Sequence, residues 1–192
     1  MKTQILCTAA LALAMAACSK PNDEVNNVAD DNMAMDNTMS ADASATAAVT
    51  VPAASDFANQ VAASDRFEIE SGKVAADKAS SADVKAFAQM LVTDHTKSTA
   101  DLKAAGSGSN PPIVPNDMLD AEKDGMLATL KSAGGADFDG QFLDQQITAH
   151  QKALDLLNAY AAGGSNDALK AFATKAVPIV QGHLDKARAL KK

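Results

Sequence analysis

Tryptophan is absent from this chain, tyrosine occurs once, and cysteine occurs only at positions 7 and 18. With aromatic residues at 4% of 192, a core has to be assembled mostly from Ala, Leu, Val and a few Phe, a composition that favours packed helices. No cysteine follows Cys18, so the rest of the chain has no thiol to oxidise, to ligate a metal or to act as a nucleophile. Excess positive charge is missing too. The 17 basic residues face 24 acidic ones, a formal charge of −7, which argues against sequence-independent binding to nucleic acid or to anionic lipid head groups. There is no Gly-rich phosphate loop and no dinucleotide-binding or P-loop spacing, and Ser98 beside His95 lacks a third partner for a triad. No catalytic residue and no organic cofactor site is expected.

What is present begins with an export signal over residues 1–17. Lys2 supplies a positive start, the run from Ile5 to Met15 is too short to span a bilayer as a helix, and Ala16 and Ala17 are small residues just before Cys18. The ending LAMAAC resembles a bacterial lipobox, with Met15 a less usual choice where Leu is common. That resemblance implies lipidation of Cys18 as the membrane anchor. Ser19 and Lys20 after it, in place of an Asp, imply the outer membrane, with the domain facing the periplasm. A plain cleaved signal is the alternative.

Residues 18–54 are rich in Asn, Asp, Ala, Ser and Thr, with almost no large apolar residue beyond Met and Val. Such a segment cannot bury enough surface to offset its ordering entropy and reads as a flexible tether. Within it Met33, Met35 and Met39 lie close together; thioethers are soft ligands suited to Cu(I), although Met also serves as filler in a low-complexity spacer.

From Ser55 to Lys192 the pattern is helical throughout. A first helix is expected from about Ser55 to Ala79, with Phe57, Val61, Ala75 and Ala79 on one side. A second starts after Ser81, which can cap it, and carries Val84, Phe87, Ala88, Leu91 and Leu102. Gly and Pro break the pattern from Gly106 to Pro115. A shorter helix is expected over about Asn116 to Ala133, a fourth over Ala136 to Ala162 and a last over Asn166 to Leu190, kinked at Pro178. Helices of about 25 residues are on the order of 37 Å long. The tight junction at Ala79 to Ser81 makes the first two antiparallel, and the Gly/Pro loop with the short helix can carry the chain back along the bundle. The predicted fold is therefore all-α, a four-helix bundle with a fifth, shorter crossover helix.

Three histidines occupy apolar helix faces. His95 lies four residues after Leu91 and seven before Leu102, His150 fills the gap between Ile147 and Leu154, and His183 follows Val180 by three. On the first helix Glu68 lies seven residues after Val61 and seven before Ala75, whereas Glu70 points outward by the same rotation. All four fall near the middle of their helices, a level at which the helices of an up-and-down bundle meet. Glu68, His95, His150 and His183 could therefore converge. A buried polar cluster is unfavourable unless its members are satisfied, and one divalent transition ion held by three imidazoles and a carboxylate would satisfy them. Two other readings stand beside this one: a structural polar layer in a non-enzymatic envelope interaction or stress-response module, and a pH-responsive core of buried histidines. No protein partner is indicated. Asp94, adjacent to His95 and turned away from it on the helix, is expected to be solvated or to pair with Lys97.

The segments EIESGKVA (Glu68 to Ala75), VKAFAQMLVTDH (Val84 to His95), FDGQFLDQQITAH (Phe138 to His150) and LKAFATKAVPIVQGHL (Leu169 to Leu184) resemble, in order and spacing, the ferritin-like domain of unknown function 4142 of bacterial envelope proteins. The resemblance spans about Ser55 to Leu190. Glu68, Asp94, His95, Phe138, Asp139, His150, Pro178 and His183 fall on its pattern, and Gly140 and Gln141 depart from it. It implies a ferritin-like bundle and little about activity. A ferritin-type di-iron centre needs Glu three residues before its histidines, and here Val92, Ile147 and Val180 stand there, so iron oxidation and storage are not implied.

Overall fold

The computed structural model describes residues 50–192. The expected signal at residues 1–17, the expected anchor at Cys18 and the methionines at 33, 35 and 39 lie outside the described residues. Five helices account for the fold: α1 (Ala54–Lys78), α2 (Ala82–Ser107), α3 (Ala121–Ser132), α4 (Phe138–Gly163) and α5 (Asp167–Leu190). No strand occurs among the described residues, and none of their helices is long and apolar enough to cross a membrane.

Three of the five helices start where a side chain satisfies a free amide. Ser81 accepts a hydrogen bond from the Val84 amide, Asp120 from Lys123 and Asn166 from Leu169, so the three caps set the starts of α2, α3 and α5. Asp139 does something else. Its two carboxylate oxygens accept hydrogen bonds from the Ser80 and Ser81 amides at 2.9 and 2.8 Å, tying the first turn of α4 to the α1–α2 junction.

The boundaries differ from the expected ones at two places. α2 continues through Gly106 to Ser107, because the chain then folds back on itself: the Ile113 amide donates to the Gly106 carbonyl at 2.9 Å, and a Cβ on Gly106 would lie only 2.4 Å from the Ile113 oxygen. α3 begins at Ala121 rather than Asn116, since Asp120 is the residue that caps it. Residues 108–120 thus form an irregular strap, held by Asn116, whose amide donates to Asn59 Oδ1 at 2.8 Å. α5 runs through Pro178 as one helix.

α1 packs mainly on α2, and α4 on α5; α2–α5 and α1–α4 contacts close the four into a bundle, with α3 against α1 and α4. Two apolar clusters fill it. One joins the start of α1 (Phe57, Val61) to the end of α4 (Leu157, Tyr160) and the start of α5 (Leu169, Phe172). The other joins the end of α1 (Ala75) to the start of α2 (Val84, Phe87, Leu91) and of α4 (Phe138, Phe142). Neighbouring helices are therefore antiparallel, and the strap with α3 returns the chain along the bundle as a crossover. Between the clusters lies a buried polar layer: Asp65, Glu68, Ser71, His95, Gln146, His150 and His183.

Candidate metal centre

The three histidines of the polar layer meet. Their ring centroids form a nearly equilateral triangle, 5.7 Å from His95 to His150 and 5.4 Å from His183 to each of the others. They are exposed by only 6%, 1% and 4% for His95, His150 and His183, and one nitrogen from each lies within 4.8 Å of the other two. Among the described residues these three form the one convergent group of metal-ligating donors.

Each ring is fixed through its other nitrogen. His95 Nδ1 lies 2.8 Å from Asp65 Oδ1 on α1. His150 Nδ1 lies 2.9 Å from the carbonyl of Gln146, one turn back on α4. His183 Nε2 lies 2.9 Å from Asp94 Oδ2 on α2. An acceptor at that nitrogen draws the ring proton to it and leaves the remaining nitrogen as a lone pair. The remaining nitrogens, His95 Nε2, His150 Nε2 and His183 Nδ1, are buried without any hydrogen-bond partner. Buried polar atoms are nearly always paired, so three orphans in one layer call for a ligand.

Glu68 stands beside the trio, as the apolar-face spacing on α1 predicts. Its Oε1 is 3.7 Å from His150 Nδ1, and its Oε2 is buried without a partner. Burial raises its carboxyl from 4.5 to about 7, against the lowering influence of the nearby His95 charge and of Gln146. The histidines are split by their surroundings. Burial lowers His150 to about 3, reinforced by the charges of His95 and His183. His183 is lowered by burial despite the Asp94 carboxylate. At His95 burial again pulls downward, but the hydrogen bond to Asp65 and the charges of Glu68, Asp65 and Asp94 outweigh it and the net direction is up.

Two parts of this arrangement were not foreseen. Asp65 was overlooked, although it lies four residues after Val61 and three before Glu68, on the same face of α1. Asp94 was expected in solvent or paired with Lys97; instead it reaches across to His183, and Lys97 pairs with Asp101. Its rotation away from His95 is what brings it to α5. Gln146 completes the layer, its Nε2 donating to Ser71 Oγ at 3.2 Å.

A cavity of about 1150 Å³ opens onto the layer. Asp65, Asp94, His95 and His183 are part of its wall, so two of the three histidines are reached from it.

Fold and site together define a helical bundle carrying a buried three-histidine donor group with its outer hydrogen bonds already made. The chain belongs to the family described as "Domain of unknown function (DUF4142)", which it matches over residues 38–190. Among solved structures it is similar to "CopM in the Cu(I)-bound form", at 15% identity and a TM-score of 0.60, covering 72% of this chain and 94% of that one. That likeness shows a shared fold. No curated protein matches the chain.

Proposed function

We propose that this bundle binds one transition-metal ion in the polar layer, through His95, His150 and His183 with Glu68 as an adjacent donor, and that it handles metal in the bacterial envelope rather than catalysing a reaction. The observation that carries this reading is the set of three unpaired, buried ring nitrogens whose ring partners are already in place. A merely structural histidine would use both of its nitrogens.

Copper is the preferred ion, as Cu(I). Imidazole suits copper and zinc alike, but burying an ion is less unfavourable when it carries a single charge. Three imidazoles with their outer hydrogen bonds made are neutral ligands, and they bring no negative charge to offset a second positive charge on the ion. The structurally similar protein being a Cu(I)-bound one supports the same choice. The bound ion would supply soft-metal chemistry; the chain orients the rings through Asp65, Gln146 and Asp94, and the two apolar clusters bound the layer on either side. Placement at the outer membrane through lipidated Cys18 completes the proposal and rests on the sequence of the first twenty residues.

The test is elemental analysis of the purified full chain after exposure, separately, to Cu(I), Cu(II), Zn, Mn and Fe, followed by desalting. A retained ion that disappears in His150→Ala, with copper exceeding the others, is expected. A chain that keeps no ion, or keeps it equally in His150→Ala, would overturn the reading. Mass spectrometry of the membrane fraction checks the anchor: an acylated N-terminal Cys18 is expected, and a free N-terminus would remove it.

A further inference from the structure

An ion bound at the trio has to get there, and a wide cavity leads to two of its histidines. The cavity that reaches His95 and His183 is also walled by Met118 of the strap and Met126 of α3. Met118 is 72% exposed, and Met126 is half-buried. The strap is pinned where Met118 stands: the Asn116 amide donates to Asn59 Oδ1 at 2.8 Å, and the Met118 amide to Asn116 Oδ1 at 3.0 Å. The backbone is thus fixed at Met118, whose side chain shares one cavity wall with two of the imidazoles.

The carboxylates near that mouth do not compete for this role. Asp117 pairs with Arg66 at 3.4 Å, Asp120 with Lys123 at 2.6 Å and Glu122 with Lys152 at 2.5 Å. With their charges matched, the mouth holds no surplus of hard oxygen donors for divalent cations. Further in, much of the cavity wall is apolar, with Val61, Phe67 and Leu156. A bare ion crossing such a surface loses its water without compensation unless a donor travels with it or meets it. Thioether sulfur is such a donor, soft and nearly free of hydration to lose.

Building on the metal reading above, we propose that Met118 and Met126 form a transient soft-ligand route that admits Cu(I) to the three histidines and is not part of the resting site. Cu(I) passes by ligand exchange from thioether to imidazole, with no change in its oxidation state. The pair acts on the rate of uptake and leaves stoichiometry and affinity to the histidine layer.

The experiment follows stopped-flow transfer of Cu(I) from a coloured chelate, without oxygen, to the full chain and to its Met118→Leu/Met126→Leu variant. Both keep Met33, Met35 and Met39, and a His150→Ala chain shows which part of the signal belongs to the bundle. Leu conserves the volume of Met closely enough to retain packing. Transfer to the bundle slowed about tenfold, with the final stoichiometry unchanged, is expected. An unchanged rate overturns the route, and so does a fall in stoichiometry, which would make the thioethers resting ligands. If the unsubstituted chain shows no bundle signal at all, the metal reading itself fails. A Met90→Leu variant, outside the cavity, should transfer at the original rate, and equal slowing there would also overturn the assignment.

Discussion

Asp94 of α2 and His183 of α5 meet at 2.9 Å, carboxylate to Nε2, while the very next residue, His95, turns to Asp65 of α1 at 2.8 Å. Two adjacent residues of α2 thus take part in fixing two imidazoles of the same layer, one through α1 and one on α5. The rotation of about 100° per helical residue makes this possible. In metal sites such outer carboxylates orient the ring and raise its basicity.

Removing the charge from either carboxylate should therefore weaken metal binding without abolishing it. Asp65→Asn and Asp94→Asn are each expected to lower affinity about tenfold, at the lower end of the range for such partners because Asn can still accept a hydrogen bond. Competition against a chelator of known affinity reads this directly. Asp101→Asn, on the exposed side of α2, should leave affinity unchanged; equal losses at all three positions would mean a general effect of net charge.

His150 gives a test that separates a ligand from a register-setting core residue. Its Nε2 is buried and unpaired, so replacing the ring with an apolar side chain removes a penalty when no metal is present. Metal-free His150→Leu is expected to melt no lower than the unsubstituted protein. With ion at about a hundred times its Kd, the unsubstituted protein should gain about 2.7 kcal/mol and the variant nothing. A large loss of Tm in metal-free His150→Leu would return this residue to a structural role.

The metal-free bundle should have a stability maximum near pH 6.5. Glu68 has a folded pKa of about 7 against 4.5 unfolded, so its contribution is fully present below about 4.5 and is lost as pH rises through 7. His95, raised from 6.5, acts in the same direction, its contribution being lost as pH rises through its folded pKa. His150 and His183 act oppositely, because below 6.5 the unfolded chain takes up protons that the folded one resists. Each unbalanced proton changes stability by about 1.4 kcal/mol per pH unit. Glu68→Gln should be more stable than the original at pH 8 and should lose stability more steeply between pH 6.5 and 4.5. Denaturant melts across this range would show the idea wrong if the two profiles ran parallel.

At Gly72 α1 lies close against α2. A Cβ there would lie 2.8 Å from Val92 Cγ2 and 3.0 Å from the Ala88 carbonyl. Gly72→Ala is expected to destabilise the bundle by about 1–3 kcal/mol, since overpacking outweighs the gain in helix propensity. It should also reduce metal affinity, as the Asp65–His95 contact spans the same two helices. Stability equal to or above the original would mean that the helices part without strain.

Much of this protein was legible in the residues themselves. The period of the apolar positions places Phe57, Val61, Leu91, Leu102, Phe142, Leu154, Leu169 and Leu184 in the core, and all of them are buried. Period and caps are local properties, so the helix starts at Ser81 and Asn166 follow from a few neighbouring residues. The strap was misread in detail because its path depends on contacts with α1 and with the end of α2, through Asn59 and Gly106, that no local pattern encodes.

The site divides along the same line. That Glu68, His95, His150 and His183 face inward near mid-helix was determined by spacing alone, since a helix turns its side chains at a fixed rate. That Asp65 and Asp94 hold two of the rings, and that a cavity is shared by His95, His183 and Met118, were decided only by tertiary structure. Helical periodicity sets the direction of a side chain about its own axis. The rotation and depth of one helix against another arise from packing between residues far apart in the chain, and those determine who meets whom.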